Sequence, residues 1–147
     1  MNNYIEIKLP ALSKNEALAR SIIAAFCVEL NPTIDDIDDI KTAVSEAVTN
    51  CIVHAYGKND GDIYIRATIV EGVLTVEIKD FGIGIADISE ARKPFFTTRP
   101  NEERSGMGFT VMETFMNRVE LSKNGAHGVK IQMFKKFGEV KRKIVGE

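Results

Sequence analysis

The chain has little with which to staple, anchor or span. Only two cysteines occur in 147 residues; Cys27 and Cys51 fall inside helical patterns and form no Cys-x-x-Cys pair. That usage excludes a disulfide framework and suits a reducing compartment, with both thiols buried as small apolar groups. No Cys/His spacing suggests zinc. No apolar run approaches the ~18 residues a membrane span needs, and Met1-Asn2-Asn3 is too polar to open a signal peptide. The expectation is a cytoplasmic protein that does not engage a membrane. A formal net charge of -2 removes any general pull toward nucleic acid. Internal repeats and low-complexity segments are absent, and prolines number only 4. Both common glycine-rich phosphate loops are missing as well: no Walker A occurs, and no third glycine completes a G-x-G-x-x-G.

What remains is an ordinary globular composition, 44% hydrophobic and 27% charged. The length predicts one domain over residues 1–136, large enough to bury a core, followed by a basic tail at 137–147. Ile5-Glu6-Ile7-Lys8-Leu9 alternates as a strand stopped by Pro10. Ser13-Lys14-Asn15-Glu16 has capping-box spacing, and a helix continues from Ala17 to Leu30. After Asn31-Pro32-Thr33, a longer helix runs from Ile34 to about His54, with Ile37, Ile40, Val44, Val48, Cys51 and Ala55 as its core stripe. Asp35, Asp36, Asp38 and Asp39 crowd its first turns, where they complement the positive helix end; a docking surface for a basic partner is the alternative. Strands over Ile63–Val70 and Val73–Lys79 meet tightly at Glu71-Gly72. The polar stretch from Asp87 to Arg104 is too long for a connector and reads as a lid or as disorder. A helix from Phe109 to Met116 and strands over Arg118–Ser122 and Val129–Lys135 complete the pattern. Lys135, Lys136, Lys141, Arg142 and Lys143 read as a solvated, frayed end. Helices and hairpins are segregated, which argues for α+β, with one mixed, mostly antiparallel sheet and helices on one face.

Three places carry chemistry. Glu46 and Asn50 lie four apart and share a helix face, a carboxylate that can take a proton beside an amide oxygen that can meet Mg2+. Two polar residues on a solvated face would look the same. In Asp80-Phe81-Gly82-Ile83-Gly84, at a strand end, two glycines let the backbone approach a ligand. The carboxylate there can accept from an exocyclic amine, although a capped glycine turn fits equally. Arg104-Ser105-Gly106-Met107-Gly108-Phe109 precedes a helix whose free amides suit phosphate, or it is a structural cap.

In this order the three resemble the GHKL ATPase/kinase superfamily, with its Bergerat-type α/β sandwich, over nearly the whole chain. Ser45-Glu46-Ala47-Val48-Thr49-Asn50, Phe96-Thr97-Thr98 and Arg104 through Phe109 are similar to the anti-sigma factor serine/threonine kinases, those of sporulation above all. The resemblance implies ATP and Mg2+ as cofactors, with Glu46 as general base toward a serine and Asn50 as Mg2+ ligand. It implies Asp80 on the adenine amine, with Gly82 and Gly84 allowing close approach. Gly106, Met107, Gly108 and Phe109 would cradle phosphate, Arg104 and Ser105 would sense the γ-phosphate, and Thr97 and Thr98 would bind ATP from a lid over Phe95 to Arg99. Arg20 would contact partner proteins. Those partners would be a sigma factor and an anti-anti-sigma protein as phosphorylation substrate, with the kinase acting as a homodimer.

One departure stands out. Family members often carry Gly-Thr at the start of the last strand, the hydroxyl supporting the adenine site, whereas here Gly128 precedes Val129. His54 ends a helix and reads as structural; His127 sits in a glycine-flanked turn. The rival readings are a stress-response anti-sigma kinase, an ATP-gated binding module without turnover, and a histidine-kinase catalytic domain acting in trans.

Overall fold

The computed structural model describes residues 2–56, 61–82, 108–125 and 128–137. In chain order these form β1 (Asn3–Pro10), α1 (Lys14–Phe26) with a 3-10 turn (Cys27–Leu30), and α2 (Ile34–Asn50) continuing into a π-helical turn (Cys51–Tyr56). There follow β2 (Asp62–Val70), β3 (Val73–Lys79), α3 (Gly108–Phe115), β4 (Arg118–Asn124) and β5 (Gly128–Lys136). The strands make one sheet in the order β1-β2-β3-β5-β4, and every described pairing is antiparallel. The expected α+β sandwich is what the chain forms.

Alternation drives the layering. Ile63, Ile65, Ala67 and Ile69 of β2, Leu74, Val76 and Ile78 of β3, and Val129, Ile131 and Met133 of β5 are buried with the helical stripe Ile40, Val44, Val48 and Cys51. Period-2 apolar residues can face only one side of a sheet, so the helices cover that side. The opposite face carries polar pairs in register, such as Glu6 with Arg66 and Glu77 with Gln132. The β2–β3 hairpin closes through Glu71 and Gly72 at φ of 50° and 79°, the double left-handed turn whose twist matches the strands.

Helix α2 packs between α1 and α3. It starts with a true capping box, since the Thr33 hydroxyl accepts from the Asp36 N–H at 3.0 Å and the Asp36 carboxylate accepts from the Thr33 N–H at 3.1 Å. The box expected at Ser13 does not form: Ser13 is already helical (φ -53°, ψ -37°) and its side chain caps nothing. The Glu16 carboxylate is engaged instead by Arg20, at 2.9 Å, and by the Ser45 hydroxyl of α2. A neighbour one turn on in the same helix and a hydroxyl from α2 have taken the place of a local cap.

A second correction concerns Lys135. Rather than belonging to a solvated end, it is 3% exposed and points from β5 into the helical side. Its ammonium donates to the Phe115 carbonyl at the end of α3 and pairs with Asp39 of α2. Asp39 therefore serves a cross-core ion pair besides facing a helix dipole. Lys136, the next residue, is exposed. Lys141, Arg142 and Lys143, the greater part of the tail, lie outside the described residues.

Candidate functional site

The central strand β3 ends in Asp80, and the register explains what meets it. Lys79 pairs with Lys130, so the next residue faces Val129 at the start of β5. The Asp80 N–H donates to the Val129 carbonyl at 3.0 Å. In return the Val129 N–H donates to Asp80 Oδ1 at 3.3 Å, and the Gly82 N–H donates to the same oxygen at 3.0 Å. The Cys51 thiol, in the π-helical turn after α2, also hydrogen-bonds this carboxylate. Asp80 is only 3% exposed. Burial pushes its carboxyl above the usual range, and the bonds from Gly82, Cys51 and Val129 oppose that rise. A buried carboxylate held this way can accept a further hydrogen bond from a polar ligand group.

Asn50, the last residue of α2, immediately precedes Cys51. Its side chain is 8% exposed, and Nδ2 has no hydrogen-bond partner among the described residues. The sequence alone allowed a solvated face here; packing has closed over Asn50 instead. A buried amide nitrogen without a partner is costly and marks a place where a polar group from outside completes the structure. Rotating the amide by 180° presents its oxygen at the same point, so the position suits an anionic oxygen or a cation.

One turn earlier, Glu46 is partly exposed and lines an open depression of about 520 Å³ with Arg20, Asp38, Lys41, Thr42 and Ser45. Arg20, from α1, thus shares a surface with Glu46, which helical periodicity within either helix could not reveal. Phe109, at the start of α3, is buried in the core. Gly84, Thr97, Thr98, Arg104, Ser105, Gly106 and Met107 lie outside the described residues, as does the proposed lid. His127 does too, while His54 falls in the π-helical turn. Among the described residues no cluster of His, Cys, Asp or Glu could hold a metal ion by itself.

At the departure from Gly-Thr, Val129 contributes only what any non-proline residue there could. Its backbone N–H, rather than a side-chain hydroxyl, restrains Asp80. Asn124 Nδ2 donates to the Asp80 carbonyl at 2.8 Å. Sequence reasoning missed Asn124, because nothing local links it to a residue 44 positions earlier.

The family profile of the histidine kinase-like ATPase domain matches residues 9–135, and that is the class of protein defined by this sandwich and its buried Asp and Asn. The chain is 52% identical over 137 residues to an anti-sigma F factor of Caldanaerobacter subterraneus, covering 93% of this chain and 96% of the relative. It is 46% identical over 142 residues to the anti-sigma F factor of Bacillus subtilis, covering 96% and 97%. The chain belongs to the anti-sigma F factor family of histidine kinase-like ATPase domains. The fold also matches a crystal structure of the RsbU and RsbW domains of a Mycobacterium tuberculosis protein, with a TM-score of 0.67 at 18% identity over 97% of this chain. The chain spans 35% of that longer polypeptide.

Proposed function

We propose that the chain is an ATP-dependent anti-sigma factor that is also a protein serine kinase. The observation that carries this reading is the buried Asn50 amide, without a partner among the described residues, one helical turn after the partly exposed Glu46. The relatives' names support a sigma factor of the F type, hence a sporulation regulator, as the sequestered partner. An anti-anti-sigma protein is the phosphorylation substrate, and the working unit is a homodimer in the cytoplasm.

Phosphoryl transfer demands positioning and charge neutralisation more than covalent participation. Asp80 would accept from the adenine amine, with Gly82 allowing the base to approach. Asn50 would hold Mg2+ through its amide oxygen, and the ion would supply charge neutralisation at the phosphates. The free backbone donors at the start of α3 favour an anion, with Arg104, Ser105 and Gly106 immediately upstream. Glu46 takes the proton of the incoming serine hydroxyl as its oxygen bonds to the γ-phosphorus and the bond to ADP breaks. Arg20, beside Glu46 in the same depression, contacts the partner protein.

The test is transfer of γ-labelled phosphate from Mg-ATP to a candidate anti-anti-sigma protein by wild type and Glu46→Gln. An acid-stable label, lost in the variant while ATP binding persists, supports the kinase. Unchanged transfer in Glu46→Gln removes the role given to Glu46. An acid-labile label indicates histidine phosphorylation, and ATP binding without transfer would favour an ATP-gated binding module.

A further inference from the structure

Asp80 is held at several points by one short stretch of chain, the β4–β5 hairpin. One of the contacts, the Asp80 N–H donating to the Val129 carbonyl, follows from ordinary strand pairing. Two others do not. Asn124 sits on β4, two strands away from β3 in the sheet, and its ladder partner is Gly128. Its side chain nevertheless reaches past the start of β5 to donate to the Asp80 carbonyl at 2.8 Å. Gly128 keeps that passage open: a Cβ there would lie 2.1 Å from the same carbonyl oxygen and 2.8 Å from the Asn124 carbonyl oxygen. No real Cβ tolerates such a separation.

The consequence lies in the carboxylate. Asp80 Oδ1 is aimed by the N–H groups of Val129 and Gly82. Strand pairing fixes Val129. Gly82 lies beyond the last ladder pair of β3, so its N–H meets Oδ1 only where the chain leaves Asp80 in a suitable direction, which the peptide after Asp80 sets in part. The Asp80 carbonyl belongs to that peptide, and with the Asp80 N–H held by Val129 and the carbonyl held by Asn124, both sides of the residue that carries the carboxylate are anchored. Val129 has no side-chain donor to share the task. Asn124 is thus the only described side chain bonded to that carbonyl, at the point where the sheet's own bonding stops.

We infer that Asn124 is a positioning residue for nucleobase recognition. By fixing the Asp80 carbonyl it sets the direction in which the Asp80 carboxylate meets an exocyclic amine, and with it the preference for adenine. This rests on the ATP-site reading above.

Calorimetric titration of the whole chain with Mg-ATP and with Mg-purine riboside triphosphate, which lacks the 6-amino group, separates the terms. Wild type should prefer ATP by at least about tenfold, the scale of a hydrogen bond to a charged group. Asn124→Ala should lose most of that preference while its affinity for the purine analogue stays within about twofold of wild type, since only the contact with the amine is misaligned. Gly128→Ala, which displaces the same carbonyl by a different route, should produce the same selective loss and gives a second reading if one variant fails to fold. Equal weakening of both nucleotides, or an unchanged preference in either folded variant, overturns the proposal. No preference in wild type removes Asp80 as reader of the amine, and no binding of either nucleotide removes the ATP reading; each overturns the positioning role with it.

Discussion

The Lys135 ammonium lies 3.5 Å from the Asp39 carboxylate and 3.1 Å from the Phe115 carbonyl, joining β5, α2 and the end of α3 at one buried cation. Removing a single member of such a pair leaves the other member's desolvation uncompensated. Lys135→Ala should cost about 2–3 kcal/mol, less than a fully buried pair because Asp39 retains some solvent. Lys135→Met keeps the stem packing and should cost about 1 kcal/mol. Urea denaturation provides both values. Burial already raises the Asp39 carboxyl, with Lys135 opposing the rise. Without the lysine it rises further, so the deficit of either variant should shrink as pH falls from 7 through the raised pKa of the Asp39 carboxyl.

Asp80 makes a second pH prediction. Its carboxyl is raised in the fold, mainly by burial. A carboxyl raised in this way stabilises most below its unfolded pKa, and the benefit is lost as pH rises through the folded value. At pH 7, well above the unfolded value, the buried carboxyl is therefore a burden on the fold. Asp80→Asn keeps an oxygen for the Gly82 and Val129 donors and should raise stability at pH 7. That gain should shrink as pH falls through the raised pKa, while ATP binding is lost. Denaturation midpoints at pH 7 and pH 5, with a nucleotide titration, check both parts.

Asn50 carries a similar conflict between stability and function. An unpartnered buried amide costs about 1–3 kcal/mol. Asn50→Leu should stabilise the ligand-free protein by about 1 kcal/mol. Mg-ATP raises the melting temperature of any protein that binds it in the native state alone, so wild type should gain from the ligand and the variant should not. A variant that still gains would show that Asn50 is not a ligand.

Both cysteines should be inert in the native state. Burial pushes the Cys27 thiol up to about 12. The Cys51 thiol lies well above its usual value, chiefly through burial and next through the Asp80 charge. Because the thiolate is the reactive form, Ellman's reagent at pH 8 should titrate neither thiol until denaturant is added, and then both.

Much of this was readable along the chain. Alternation in Ile63–Val70 and Val73–Lys79 and the apolar stripe of α2 found their elements, because burial on one face imposes the period directly. Asp80 and Glu46 with Asn50 stood out as residue types at a strand end and on one helix face, without any sign of which of them packing would bury. Ser13 and Lys135 were misread for one reason: each was judged by its neighbours in sequence. Glu16 was taken up by Ser45 of α2 besides its i+4 neighbour Arg20, and Lys135 was drawn to Asp39 and Phe115; Ser45, Asp39 and Phe115 are partners that adjacency does not reveal.

The sequence by itself determined the order of elements, the single-faced core and the family, since these follow from periodicity and from motifs read in order. The tertiary structure alone decided that Asn50 is buried rather than solvated and that Arg20 shares a surface with Glu46. It also decided that Asp80 is held by Val129 and Asn124 from the far hairpin. Those outcomes depend on which surfaces meet when the helices close over the sheet, and contacts 44 or more residues apart leave no local pattern in the chain.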